Sequence, residues 1–178
     1  MATFRRRLPT GPALFSIFIV CVFITHVWSI FNVLREVPAW VLYLNAGELI
    51  GGIAYTQVFA LIDSLLLIAG ILVVGFLLPR RYFADRFAAQ GILVALVVST
   101  WAILAHTIGG AGNMWSVSGL LIGFAAIVVA SLVGFFLIRW YERLENALVG
   151  LADRLLVLSV VYLALDAVSV LIVVARNV

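Results

Sequence analysis

The chain has 178 residues, of which 66% are hydrophobic and only 11% charged, with a formal net charge of +3. Soluble globular domains run at roughly 45–50% apolar and about 25% charged residues, so this composition excludes a soluble domain and points to an integral membrane protein. The basic excess comes from arginine alone, with no lysine anywhere; topogenic arginines beside anionic headgroups account for it, and no nucleic-acid partner is expected.

A helix that crosses a hydrocarbon core of about 30 Å needs roughly 20 apolar residues. Five runs meet that length, at about 12–34, 53–78, 88–108, 116–138 and 155–174. They predict an all-α fold: a polytopic membrane helix bundle forming a single transmembrane domain over 1–178. The first run is longer than the 7–15 residues of a signal-peptide core and is followed by no A-x-A-like site, so it is expected to remain as a span. On it Cys21, Thr25, Trp28 and Asn32 share a face, with His26 and Ser29 beside them. The following segment REVPAWVLYLNAGELIGG (35–52) is too polar and too short to span. It is expected to form an interfacial loop or lid, with Trp40 to Leu44 in the outer interface.

The second run carries a looser polar stripe of Thr56, Asp63 and Ser64, with Asp63 about halfway across. The segments PRRYFADRF and RWYERLENALVGLADR mix both charge signs and predict amphipathic surface helices in which Glu142, Arg143, Glu145 and Asp153 are solvated. The third run ends in the glycine-rich IGGAGNMWS (108–116), which suits a tight connection between antiparallel neighbours but lacks the lysine and spacing of a phosphate-binding loop. In the fourth, Gly119 and Gly123 form a G-x-x-x-G that Ala126, Ala130 and Gly134 continue. Small faces let helix backbones approach closely where lipid supplies no hydrophobic drive, so this helix is expected at the centre or at a subunit interface. In the fifth, Ser159, Tyr162, Asp166 and Ser169 fall at i, i+3, i+7 and i+10, on one face that must point into the bundle.

Orientation follows from the arginines. With the N-terminus cytoplasmic, Arg5, Arg6, Arg7, Arg80, Arg81, Arg86, Arg139, Arg143 and Arg154 lie inside and only Arg35 and Arg176 outside. That asymmetry predicts an extracytoplasmic C-terminus. Tyr82, Trp140 and Tyr141 at the inner boundary, and Trp40 and Trp115 at the outer one, suit the interface preference of aromatic rings.

Polar residues inside a membrane are functional candidates by default. Asp63 and Asp166 both lie near mid-membrane, and no arginine stands at their depth. A buried carboxylate without a partner neutralises rather than bear the cost of charge. Asp166 is therefore expected either protonated and donating to a hydroxyl or carbonyl, or paired with an arginine or histidine. Three roles stay open: a hydrogen-bond peg between helices, a proton or cation path through Asp63 and Asp166, and contact with a cation of a partner subunit. His26 and His106 both fall in the outer half, about 5–10 Å apart in depth at 1.5 Å per residue. Two histidines on different helices are the minimum for haem b ligation. No metal site is expected. Without lysine there is no retinal or PLP Schiff base and no Walker-type loop, and the single Cys21 leaves no intrachain disulfide or C-x-x-C pair. Neither H-E-x-x-H nor G-x-S-x-G occurs, so no catalytic residue is assigned.

The segments LPRRYFADRFAAQG (78–91) and LADRLLVLSVVYLALDAVSVLIVVARNV (151–178) resemble parts of the five-span membrane regions that precede extracytoplasmic sulfatase-like domains in bacterial proteins of the lipoteichoic-acid-synthase type. The resemblance covers mainly the third to fifth spans. It implies a multi-pass protein of the bacterial cytoplasmic (inner) membrane with its C-terminus outside. The metal ligands and nucleophile of that family have no counterpart in these residues, so at most its membrane module is shared and no activity carries over.

Together these features predict a non-enzymatic accessory, scaffold or anchoring subunit of a larger membrane complex, of respiratory or photosynthetic type among others. Its expected partners are membrane lipids and other integral membrane subunits. One alternative is a haem b-binding electron-transfer anchor using His26 and His106. Another is a small proton-coupled transporter using Asp63 and Asp166.

Overall fold

The computed structural model describes residues 10–77, 86–109 and 116–178. Five helices make up these residues: α1 (Gly11–Tyr43), α2 (Ala46–Leu77), α3 (Phe87–Gly109), α4 (Val117–Trp140) and α5 (Glu142–Asn177). All five are long and apolar enough to cross a membrane. Helices are the form such a chain must take in lipid, because each N–H and C=O then finds its partner within its own segment.

At 1.5 Å per residue α3 and α4, of 23 and 24 residues, are about as long as the hydrocarbon is thick. The other three helices, of 33, 32 and 36 residues, exceed it by roughly 20 Å. This surplus corrects two expectations. The segment 35–52 is not an interfacial loop: α1 continues to Tyr43 with Pro38 inside it, and α2 begins at Ala46. Likewise Glu142 to Arg154 are helical but form no separate surface helix, being the first turns of α5. In both places the apolar run marks the hydrocarbon, while the backbone hydrogen bonds continue beyond it. Residues 79–85 of the expected PRRYFADRF surface helix and 110–115 of the IGGAGNMWS connection lie outside the described residues, Tyr82 and Trp115 among them.

The α1–α2 connection is tight for a local reason. Leu44 N–H donates to Trp40 O and closes α1. Asn45 then opens α2 with a reciprocal capping box: Asn45 N–H donates to Glu48 Oε2 and Glu48 N–H to Asn45 Oδ1, both at 2.9 Å. Asn-x-x-Glu is the signal, and it provides partners for N–H groups that the first helical turn leaves open.

α1, α2 and α5 pack mutually; α3 lies against α1, and α4 lies mainly against α3. The apolar core sits toward the end of the bundle that holds Arg86, where Ile17, Val20 and Cys21 of α1 meet Ile71 of α2, Ile92 and Ala95 of α3, and Leu148 and Ala152 of α5. At that end Arg86 Nε lies 3.1 Å from Glu145 Oε2, and its guanidinium also donates to Ile138 O, which ties the start of α3 to the junction of α4 and α5. At the opposite end Arg176 donates to Gly47 O at 3.0 Å, fastening the last turn of α5 to the first turn of α2.

Glycines set the close approaches. A Cβ on Gly91 would stand 2.3 Å from Ile17 Cδ1, so α3 meets α1 closely there and a side chain would require Ile17 to shift. Gly123 and Gly134 of α4 are buried against Trp101 and Leu93 of α3. Gly119 is only half-buried and its N–H donates to Ser116 Oγ at 3.2 Å, an N-terminal cap; Ala126 and Ala130 are exposed. The small stripe of α4 is thus used at two of its positions, and α4 stands at the edge of the bundle rather than at its centre.

Candidate functional site

The polar residues of α1, α2 and α5 converge in the middle of the bundle. Because α1 and α5 run parallel, a fixed offset relates their facing residues. His26 faces Asp166 and Ile19 faces Ser159, both pairs separated by 140 positions. Seven residues are about two helical turns, so the two contacts fall on one seam between the helices.

At the upper contact His26 Nε2 lies 2.9 Å from Asp166 Oδ1, with the two side chains 0% and 2% exposed. His26 Nδ1 lies 2.8 Å from Val22 O, one turn back on its own helix. A backbone carbonyl can only accept, so Nδ1 carries a hydrogen and donates it. One further hydrogen then lies between Nε2 and Oδ1. It resides on the carboxyl, giving an acid donating to a neutral imidazole, or on the ring, giving an imidazolium donating to a carboxylate. Either way the pair as a whole is uncharged, which is how this bundle meets the cost of a carboxylate in a low-dielectric interior. Asp166 thus has a histidine of its own chain as neighbour, one of the pairings left open for it, and needs no cation from a partner subunit.

The rest of the cluster orients this pair. Tyr162, half-buried, stacks on the His26 ring at a centroid distance of 5.4 Å and an interplanar angle of 10°, fixing the imidazole plane. Ser159 donates to Ile19 O at 2.9 Å. Thr25 and Ser64 join α1 to α2 through a 2.6 Å contact between their hydroxyls; Ser64 Oγ also lies 2.8 Å from Ala60 O and Thr25 Oγ1 3.0 Å from Cys21 O, so one hydroxyl donates across the pair and the other to its own helix. Ser29 donates to Thr56 O at 3.4 Å, a weak second link between the same helices. Ser169 is buried on the same face of α5. Asp166 Oδ2 is buried and has no hydrogen-bond partner among the described residues.

The other candidates fall elsewhere. Asp63 is exposed on the outer wall of α2, so it does not belong to the buried cluster and is not brought to Asp166. His106 is exposed on α3 and meets the edge of Trp28 at 5.5 Å and 82°. The two histidines therefore do not face one another. His26 has no exposure, and both of its ring nitrogens are engaged with hydrogen-bond partners of the protein, so the donor set does not fit a bis-histidine haem. Among the described residues no three of His, Cys, Asp and Glu group as metal ligands would.

Comparison with protein-family models, with curated proteins and with solved structures finds no match. The resemblance to sulfatase-associated membrane regions rests on the quoted segments alone.

Proposed function

We propose that this protein is a non-enzymatic polytopic membrane subunit that acts as a scaffold or accessory component of a larger complex. The observation that carries this reading is how the central polar groups are used: His26, Asp166, Ser159, Thr25 and Ser64 bond one another or the backbone of a neighbouring helix. Such bonds lock three helices at one rotation and depth, which suits a rigid body presented to partners within the membrane. The arginine distribution supports a cytoplasmic N-terminus and an extracytoplasmic C-terminus, and the resemblance supports a bacterial inner membrane.

Purification of the tagged full chain in mild detergent tests the reading. The expected result is co-purification of at least one integral membrane protein in fixed stoichiometry; a chain that migrates alone from every mild extraction refutes it. A C-terminal reporter active only outside the cytoplasm is expected, and cytoplasmic activity would reverse the orientation.

A second reading is favoured by one feature, the hydrogen shared between His26 and Asp166 beside the unpartnered Oδ2. A proton-carrying site needs such a group at mid-membrane. Asp63 lies outside the cluster and does not extend it into a path. Acidification of the lumen of vesicles carrying the purified protein, lost in Asp166→Val, would favour proton transport over the scaffold role.

A further inference from the structure

Asp63 is the second carboxylate at mid-membrane and is treated in the opposite way to Asp166. It lies near the middle of α2 (Ala46–Leu77), with roughly 20–25 Å of helix to either side at 1.5 Å per residue. It is exposed on the outer wall of the bundle and has no hydrogen bond or ion pair among the described residues. Phe59 and Leu66, one turn before and after it, are 60% and 64% exposed, and open space lies where a Cβ on Gly70 would stand. Spacings of four, three and seven residues place all four on one face.

Lipid cannot satisfy this group. The hydrocarbon offers no donor, and an intramembrane carboxylate is found with a partner or beside water. Among the described residues, a second copy of this chain provides no cation at this depth. The sequence has no lysine, and each described arginine stands at or beyond the end of an apolar run. Arg86 is already engaged by Glu145 and Arg176 by Gly47 O. His26 is sealed in the interior, and His106 lies close to one end of α3. Left unpaired in lipid, Asp63 has to stay protonated; a cation from a different protein lets it ionise and pair.

We infer that the α2 face formed by Phe59, Asp63, Leu66 and Gly70 docks a transmembrane helix of another membrane protein, which presents an arginine or lysine to Asp63 near the bilayer midplane. Phe59 and Leu66 flank the ion pair and exclude lipid and water from it. Gly70, two turns away, leaves space for the partner's backbone to approach. This inference rests on the accessory-subunit reading and names the surface that reading requires.

The test uses the full chain in its own membrane, with a photoreactive phenylalanine analogue at Leu66 and, as a control, at the 64% exposed Leu121 of α4. Irradiation is expected to give one discrete adduct from position 66, mapping to a transmembrane segment that contains an arginine or lysine. Asp63→Leu should lower its yield about ten-fold or more, the change that 1.4 kcal/mol of lost affinity produces. Asp63→Lys should abolish it, and exchange of the partner's cation for aspartate should restore the adduct with Asp63→Lys. Because Asp63 is on the outside, both variants are expected to keep the unfolding transition of the parent bundle. Adducts with lipid only, an adduct with a second copy, an adduct segment without a cation, or a yield indifferent to Asp63→Leu would each overturn the inference. Co-purification separates the two levels: a stoichiometric complex that survives Asp63→Leu leaves the scaffold reading intact and removes this face from it, whereas the absence of any complex removes both.

Discussion

Breaking the His26–Asp166 pair from one side and from both sides should give unequal results. Asp166→Val removes the only partner that His26 Nε2 has among the described residues and leaves that nitrogen buried at 0% exposure. His26→Leu strands the carboxyl instead, whose Oδ2 already has no partner among the described residues. A buried polar group left unsatisfied costs about 1–3 kcal/mol, whereas replacing both partners with apolar groups is close to neutral. Each single variant should therefore lose about 1–3 kcal/mol, and the double variant should lose less than the sum by at least about 1 kcal/mol. Asp166→Asn sharpens the test, because its amide N–H can donate to Nε2 in place of a carboxyl hydrogen. If the pair is an acid donating to a neutral ring, that variant loses no more than about 1 kcal/mol. If it is an imidazolium and a carboxylate, the variant also loses a charge-assisted bond and the ring gives up its second hydrogen, so the loss should exceed about 1 kcal/mol. The assay is reversible unfolding in mixed micelles titrated with a denaturing detergent, followed by the fluorescence of the five tryptophans. Additivity of the two single variants within about 0.5 kcal/mol would refute the view that these side chains act as one unit.

Other perturbations follow from contacts of the same kind. Gly123→Ala places a Cβ 2.4 Å from Trp101 Cζ2, and a rigid indole cannot retreat as a chain end would. It should destabilise by about 1–3 kcal/mol in the same assay, and Trp101→Leu should recover part of the loss. Ser159→Ala should cost about 0.6 kcal/mol, the average for interhelical hydrogen bonds in membranes, and a loss above about 2 kcal/mol would mean that more than the bond to Ile19 O was removed. Asn45→Ala breaks the capping box and should cost about 1 kcal/mol. Hydrogen exchange should rise in the first turn of α2 and stay unchanged around His26.

The spans were legible in the sequence because hydrocarbon thickness imposes a length and five runs met it. Helix ends were not, since a helix need not stop where the apolar run does: Arg35 to Tyr43 stay helical although Pro38 removes one backbone donor. The polar face of α5 was readable from the spacing of Ser159, Tyr162, Asp166 and Ser169. Its partner was harder to read. Counting residues from the ends of apolar runs placed His26 in the outer half and Asp166 at the middle. That estimate assumes both helices enter the bilayer at the edge of the run, and the surplus length of α1 and α5 breaks the assumption. Asp63 was misplaced for another reason. α2 is apolar around its whole circumference, so no contrast between faces indicates which side lies inward.

The register between α1 and α5 explains why the bundle keeps an imidazole and a carboxylate in its interior at all. Apolar helices in lipid gain little from one rotation over another, because leucine is as content against a lipid tail as against leucine. A bonded polar pair removes that degeneracy. A slip of one residue would move His26 by 1.5 Å along the seam and about 100° around it. Asp166 and His26 would then both be stranded, and at the same step Ser159 would lose Ile19 O. The two contacts lie seven residues apart on parallel helices, so they agree only at a single register. The net charge of the pair is zero whichever atom holds the shared hydrogen, so the penalty for burying it stays far below that of an isolated ion. The first and last spans are joined where no turn or short connection constrains them, and a bond with one permitted register supplies the constraint. In the proposed scaffold role, holding the outer face of α2 and Asp63 at a fixed angle to a partner would depend on that constraint more than on the overall stability of the bundle.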